Sequence, residues 1–330
     1  MIAAAAVWIY PRINPVLLDL PGPLAVRWYG MMYLVGFAIG YFILLRLSRQ
    51  GRLPIPGEKV SELIGLVALG VIVGGRVGYV LFYNPSIFLR PVEILMLWEG
   101  GLSFHGGLIG VILAFWWFSR REGVPFLSLA DGLVLAAPPG IAGVRLANFI
   151  NGELFGRVAG ESVPWAMRFP TDPVALRLLR VESARPESVF RAVDAARANG
   201  TWQQIEAEIP LRHPSQLYEA ALEGVLLFCL LWLIVYLARR FDWKLRKGSF
   251  GGFFLIGYGI FRTFVENFRQ PDQQFTGPGD PLGTVLGPLT MGQVLSISMI
   301  TAGVLVLWMV FRGKGTEDVA WPIRALDETR

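Results

Sequence analysis

Several ionisable side chains fall inside apolar stretches of this sequence, where such groups are costly and mark function by default. They are Arg76, His105, Asp131, Arg145, Glu219, Glu223, Arg262 and Glu266. Tyr258, Arg262 and Glu266 are spaced by four and share one face of a helix. An Arg–Glu pair there is either structural or an anion clamp, with Glu266 orienting the guanidinium and Arg262 gripping bidentately. Arg145 and Asn148 share another face, with Asn151, Glu153 and Gly156 just beyond. His105 precedes Gly106 and Gly107, which allow close approach of backbone or ligand, and its imidazole exchanges protons near neutral pH. Tyr29, beside the interfacial Trp28, could equally line a cavity. His213 is read as structural, in a segment where Pro214 opens a helix and Ser215 caps it. With one cysteine (Cys229, read as a lipid-side or packing residue) and two histidines, no Cys/His metal cage or disulfide framework can form, and no metal or cofactor is expected.

The elements that must position these groups are membrane helices. Hydrophobic residues make up 54% of the 330 and charged residues 17%, against about 25% charged in a soluble domain. Seven segments approach the roughly 20 residues that cross a bilayer: 28–46, 62–82, 102–119, 127–150, 216–238, 250–269 and 291–311. Pro138-Pro139 should break the fourth. The start of the chain lacks a basic leader and does not read as a cleavable signal peptide.

Arg and Lys follow the first, third, fifth and seventh segments, and all four lysines (Lys59, Lys244, Lys247 and Lys314) are among them. That bias puts the N-terminus outside and the C-terminus in the cytoplasm. The net charge of +5 therefore suits membrane orientation rather than nucleic-acid binding. The expected fold is an all-α integral membrane protein with about seven transmembrane helices. Helices one to four lie in 1–156, a small extracytoplasmic subdomain in 157–212, helices five to seven in 213–311, and a cytoplasmic tail in 312–330. On this topology His105, Arg145, Arg76, Arg262, Glu266, Glu219 and Glu223 all fall near the outer ends of their helices, and Asp131 alone lies toward the cytoplasm.

Six segments carry a family resemblance: VRWYGMMYLVGF, GGRVGYVLFYNP, WEGGLSFHGGLIG, VRLANFINGELFGR, HPSQLYEA and GYGIFRTFVENFRQPD. In these, and in their order, the chain resembles the prolipoprotein diacylglyceryl transferases, whose signature is roughly G-R-x-[GA]-N-F-x-N-x-E-x-x-G. Arg145, Ala147, Asn148, Phe149, Asn151, Glu153 and Gly156 fit it; Val144 stands where Gly is expected, with Gly143 one place earlier.

The resemblance implies a multi-pass enzyme of the bacterial plasma (inner) membrane, with its active site facing the extracytoplasmic side. It implies transfer of the sn-1,2-diacylglyceryl group of phosphatidylglycerol to the lipobox cysteine of preprolipoprotein signal peptides, with release of glycerol 1-phosphate. His105 is then the first choice as base for the thiol, with Glu153 or Glu266 as alternatives. Arg145 and Arg262 take the leaving phosphate, with Arg76 a weaker third. Asn148 and Tyr29 bind the glycerol headgroup, Tyr258 supports Arg262, and Asn151, Glu153 and Gly156 shape the rim. The alternative is a transporter or channel for an anionic solute. A phospholipase would be a third reading, but neither a Gly-x-Ser-x-Gly elbow nor an HExxH motif is present.

Overall fold

The structure is a computed structural model that describes residues 8–312, apart from 12, 22–24, 97–99, 183–184, 244, 272–275 and 277–282. Trp98, Glu99, Lys244, Lys314 and the expected tail beyond Arg312 lie outside the described residues.

The fold is mostly helical. A short hairpin, β1 (Val16–Asp19) with β2 (Ala25–Arg27), leads into α1 (Trp28–Arg49) and α2 (Gly57–Phe82). Two 3-10 turns follow, then α3 (Phe104–Glu122), α4 (Phe126–Ala136) and α5 (Pro138–Asn151). Three short helices come next: α6 (Pro173–Leu178), α7 (Pro186–Ala198) and α8 (Trp202–Glu208). Then α9 (Ser215–Glu219) passes through a wider π turn, Ala220–Leu226, into α10 (Leu227–Arg240). The chain ends with α11 (Ser249–Glu266), the pair β3 (Thr284–Leu286) and β4 (Leu289–Thr290), and α12 (Met291–Arg312).

Four helical runs are long and apolar enough to cross a membrane: α1, α2, Ser215–Arg240 and α12. The α4–α5 pair makes a fifth if it counts as one span; it bends by 44° beside Pro138-Pro139, where proline removes a backbone donor and cannot continue the ladder. The third and sixth expected spans are present as helices of 19 and 18 residues. Their glycines and charges keep them below the apolarity of the others. Arginine stands in the last turn of α1, α3, α10 and α12.

The chain divides into two compact units. The first comprises 1–35, 138–227 and 255–302, and the second 36–137, 228–254 and 303–330. In the second unit α2 and α3 pack backbone to backbone along Gly70, Gly74 and Gly78 facing Gly106 and Gly110. Such small-residue seams drive helix association in lipid, where apolar burial gives no advantage. Also in that unit, buried Asp131 accepts from Gly248 N at 2.7 Å and Gly251 N at 2.9 Å. A carboxylate there satisfies orphan donors at the start of α11.

In the first unit two small cores organise the polar outer polypeptide. Val189 and Val193 of α7 meet Ala175, Trp202 and Ile209. Tyr10, Phe149, Met167 and Phe169 form the other core, and Tyr10 donates its hydroxyl to Phe149 O and Ile150 O at the end of α5. Burial pushes that hydroxyl well above the usual phenol range, so it stays a donor.

Candidate active site

The polar residues of the first unit converge from three helical segments. Arg145 on α5 places Nε 2.7 Å from Glu219 Oε2 at the end of α9. Arg262 on α11 sets Nη2 2.9 Å from Glu266 Oε2, the four-residue pair expected from the sequence, and Nη1 3.5 Å from Glu219 and 3.8 Å from Glu223. Arg269, past the end of α11, reaches Glu219 Oε1 at 3.2 Å. Three arginines thus face three carboxylates, and Glu219 is the hub that touches all three guanidiniums. Tyr258 interacts with Arg145 and Glu223.

The local folding follows from chain chemistry. Glu219 and Glu223 flank the start of the π turn, a rare widening that recurs at functional sites. Gly224 in that turn lets the backbone approach Ala142 of α5. Thr290 donates to Glu266 Oε1 at 3.0 Å, so the carboxylate that holds Arg262 is itself held.

Beside this cluster, Asn148 and Asn151 donate to one oxygen of Glu153 at 3.0 and 3.1 Å. Tyr29 interacts with Asn148 and stacks near Tyr33, with ring centroids 5.5 Å apart. The turn that follows is fixed by α9: Gln216 donates to Glu153 O at 2.7 Å and Ser215 to Leu154 O at 3.0 Å. Ser215, expected to cap its helix, has this role instead. Leu154 adopts φ 58° there, a left-handed conformation that costs an L-residue about 1–2 kcal/mol.

Several buried polar atoms of this cluster make no hydrogen bond. They include Arg262 Nη1, Glu219 Oε2, both Glu223 oxygens, Glu266 Oε2 and Asn148 Oδ1. Some have ion-pair distances without hydrogen-bond alignment. Unsatisfied groups in a native interior call for an explanation, and here they offer a polar ligand both a donor and acceptors.

Residues 15–309 match the sequence model of the prolipoprotein diacylglyceryl transferases. The chain belongs to that family. Phosphatidylglycerol–prolipoprotein diacylglyceryl transferases from Yersinia enterocolitica and Yersinia pestis are 44% and 42% identical to it over 306 residues, 92% of this chain and 95% of theirs.

Within this family member, the structure brings Arg145, Arg262, Glu266, Tyr258, Asn148, Asn151, Glu153 and Tyr29 into the first unit. It does not bring Arg76 or His105 there. Arg76 is a correction to its expected headgroup role: its guanidinium is engaged with backbone. Nε donates to Ile94 O at 2.9 Å, Nη1 to Gly100 O and Gly101 O at 2.7 and 3.0 Å, and Nη2 to Glu93 O. Arg76 clasps the loop before α3. His105, in the first turn of α3, is exposed and packs its ring edge-on to Phe104.

Gly156, expected on the rim, is a packing necessity. A Cβ there would collide with Phe268 O and His213 O, because Gly156 N donates to His213 O at 2.8 Å in a close crossing of chains. His213 is structural as expected, its ring within 5.1 Å of Phe268 and its Nδ1 3.1 Å from the Tyr218 hydroxyl.

Sequence reasoning placed Glu219 and Glu223 among buried charges but gave them no role, and it passed over Arg269. The four-residue spacing of Glu219 and Glu223, matching that of Arg262 and Glu266, was the available signal. Arg269 carried none, because it stands beyond its helix.

Proposed function

We propose that the chain transfers the sn-1,2-diacylglyceryl group of phosphatidylglycerol to the cysteine thiol of a prolipoprotein, and that the arginine–glutamate cluster receives the phosphate. The observation that carries the reading is Arg262 Nη1: a buried guanidinium donor, held by carboxylates yet without a hydrogen-bond acceptor, in a member of this family. A phosphate oxygen suits that donor.

In the reaction the thiol sulfur bonds to the glyceryl carbon, the carbon–oxygen bond to phosphate breaks, and glycerol 1-phosphate leaves with one more negative charge. The thiol proton goes to a base. At pH 7 only a few per cent of a free thiol is ionised, and a positioned base contributes about 10²–10⁴-fold. His105 is the first candidate, exposed at the start of α3, with Glu153 and Glu266 as alternatives. Arg145 and Arg262 stabilise the charge that grows on the leaving phosphate, where preorganised donors act most strongly. Asn148, Tyr29 and Asn151 offer the glycerol headgroup hydrogen bonds, and Glu153 aligns the two amides. The protein substrate presents its lipobox cysteine on the extracytoplasmic face of the bacterial plasma membrane, with α3 and α11 completing seven spans. The run of arginines in the last turns of α1, α3, α10 and α12 supports that orientation.

Purified protein, labelled phosphatidylglycerol and a lipobox peptide with or without its cysteine test the reading. Label on the thiol supports it. Label released from lipid without peptide means hydrolysis, and anion flux in vesicles with no lipid chemistry means transport.

A further inference from the structure

Leu154 occupies a position whose backbone favours glycine. Its φ is 58°, while Gly152, two residues earlier, stands at 70°. Glycine populates this region at no steric cost, whereas a bulky side chain there is an outlier that persists only where something over-determines it. The turn's hydrogen bonds use backbone atoms of residues 153 and 154, so a glycine would keep them. Its neighbours point to inward tasks: Glu153 takes Asn148 and Asn151, and Phe155 stacks on Phe169 at 5.1 Å. Leu154 itself is 43% exposed and belongs to neither core of the unit. An apolar side chain is thus kept at conformational cost without contributing to the fold.

We propose that Leu154 is a specificity-determining contact for the protein substrate, packing against the apolar residue next to the acceptor cysteine. This rests on the transferase reading above. Leu154 stands three residues past the end of α5, beyond the apolar helix along which acyl chains would lie. An aliphatic side chain offers nothing to a phosphate or a glycerol hydroxyl. What remains is an apolar side chain of the polypeptide that delivers the thiol to Glu153 and its neighbours.

The test uses Leu154→Gly and Leu154→Asn, both of which accept the left-handed backbone. Transfer from labelled phosphatidylglycerol is measured onto two peptides, one with a large apolar residue beside the cysteine and one with serine. The variants should melt no lower than the wild type and keep their KM for phosphatidylglycerol. Their KM for the apolar peptide should rise roughly tenfold, the scale of small apolar contacts in enzyme specificity, which erases the preference over the serine peptide. A rise in the KM for phosphatidylglycerol instead would assign Leu154 to the lipid, and no change in either KM would leave it without a substrate role; each overturns the proposal. Binding of a fluorescent peptide is read in parallel by anisotropy. If the wild type moves no label to any thiol, the transferase reading fails. Equal peptide affinity in wild type and variants then still refutes the contact.

Discussion

Replacing Arg262 separates the charge of its guanidinium from its shape. The side chain meets Glu266 at 2.9 Å through Nη2 and points Nη1 between Glu219 and Glu223 at 3.5 and 3.8 Å. Arg262→Ala leaves three buried carboxylates with one fewer counter-ion, and breaking a buried pair in this way costs about 3–5 kcal/mol. Arg262→Lys restores the charge. Its single ammonium can meet Glu266 one turn away but cannot also stand between Glu219 and Glu223, so it recovers most of the stability and not the fork. Loss of one preorganised donor to a developing oxyanion costs about 10²–10³ in turnover.

The expected pattern is therefore a split. The Lys variant melts within a few degrees of the wild type while its transfer rate falls about a hundredfold, close to that of whatever folded Arg262→Ala can be recovered. The assay pairs initial rates of thiol labelling with thermal unfolding in the same detergent. Near-normal transfer by the Lys variant would refute the bidentate role. So would an Ala variant that is less stable yet turns over normally once folded at low temperature, because the arginine would then be a structural tie.

Further predictions follow from the same geometry. Gly156→Ala should fail to fold stably or lose transfer outright, since backbone carbonyls on two sides leave its Cβ no room; a wild-type melting curve and rate would show that the crossing can open. Arg76→Gln should lower the melting temperature and loosen the 93–101 loop to proteolysis without raising the KM for phosphatidylglycerol, and a selective rise in that KM would restore Arg76 to the headgroup site. Asp131→Ala should destabilise by about 1–2 kcal/mol as α11 loses its terminal acceptor, measured by thermal unfolding with transfer followed in parallel. Burial holds His213 below the usual imidazole range. The unfolded chain then binds a proton that the folded chain refuses, so stability should fall as pH drops through about 6.5. His213→Gln should flatten that part of a melting-temperature titration, and an unchanged slope would place the acid sensitivity elsewhere.

Much of this was legible before any coordinates. Helix positions followed from runs of apolar residues, and the break at Pro138 from its missing donor. The Arg262–Glu266 pair followed from spacing alone, because a four-residue interval fixes two side chains on one face. What the sequence hid were contacts between distant segments. Arg76 reads like any arginine near a helix end, and only the fold brings four carbonyls to its guanidinium. Gly156 fits a signature that looks chemical, yet its reason is the close crossing with His213 and Phe268. The π turn after Glu219 has no sequence mark, since nothing in ALEGVL separates it from ordinary helix.

The hub at Glu219 answers a difficulty that the sequence raises. Two guanidiniums waiting for a phosphate inside apolar surroundings would each bear a large desolvation penalty. Three glutamates offset that penalty, and they do so unevenly. Glu266 is fixed by Thr290, whereas Glu223 accepts no aligned hydrogen bond and Glu219 Oε2 meets Arg145 and Arg262 without one. A phosphate oxygen entering beside Arg262 Nη1 therefore competes with loosely held carboxylates and leaves the firm Glu266 contact in place. The site can stay folded without its anion and still receive it, because the acid that orients Arg262 is a different group from the acids that give way.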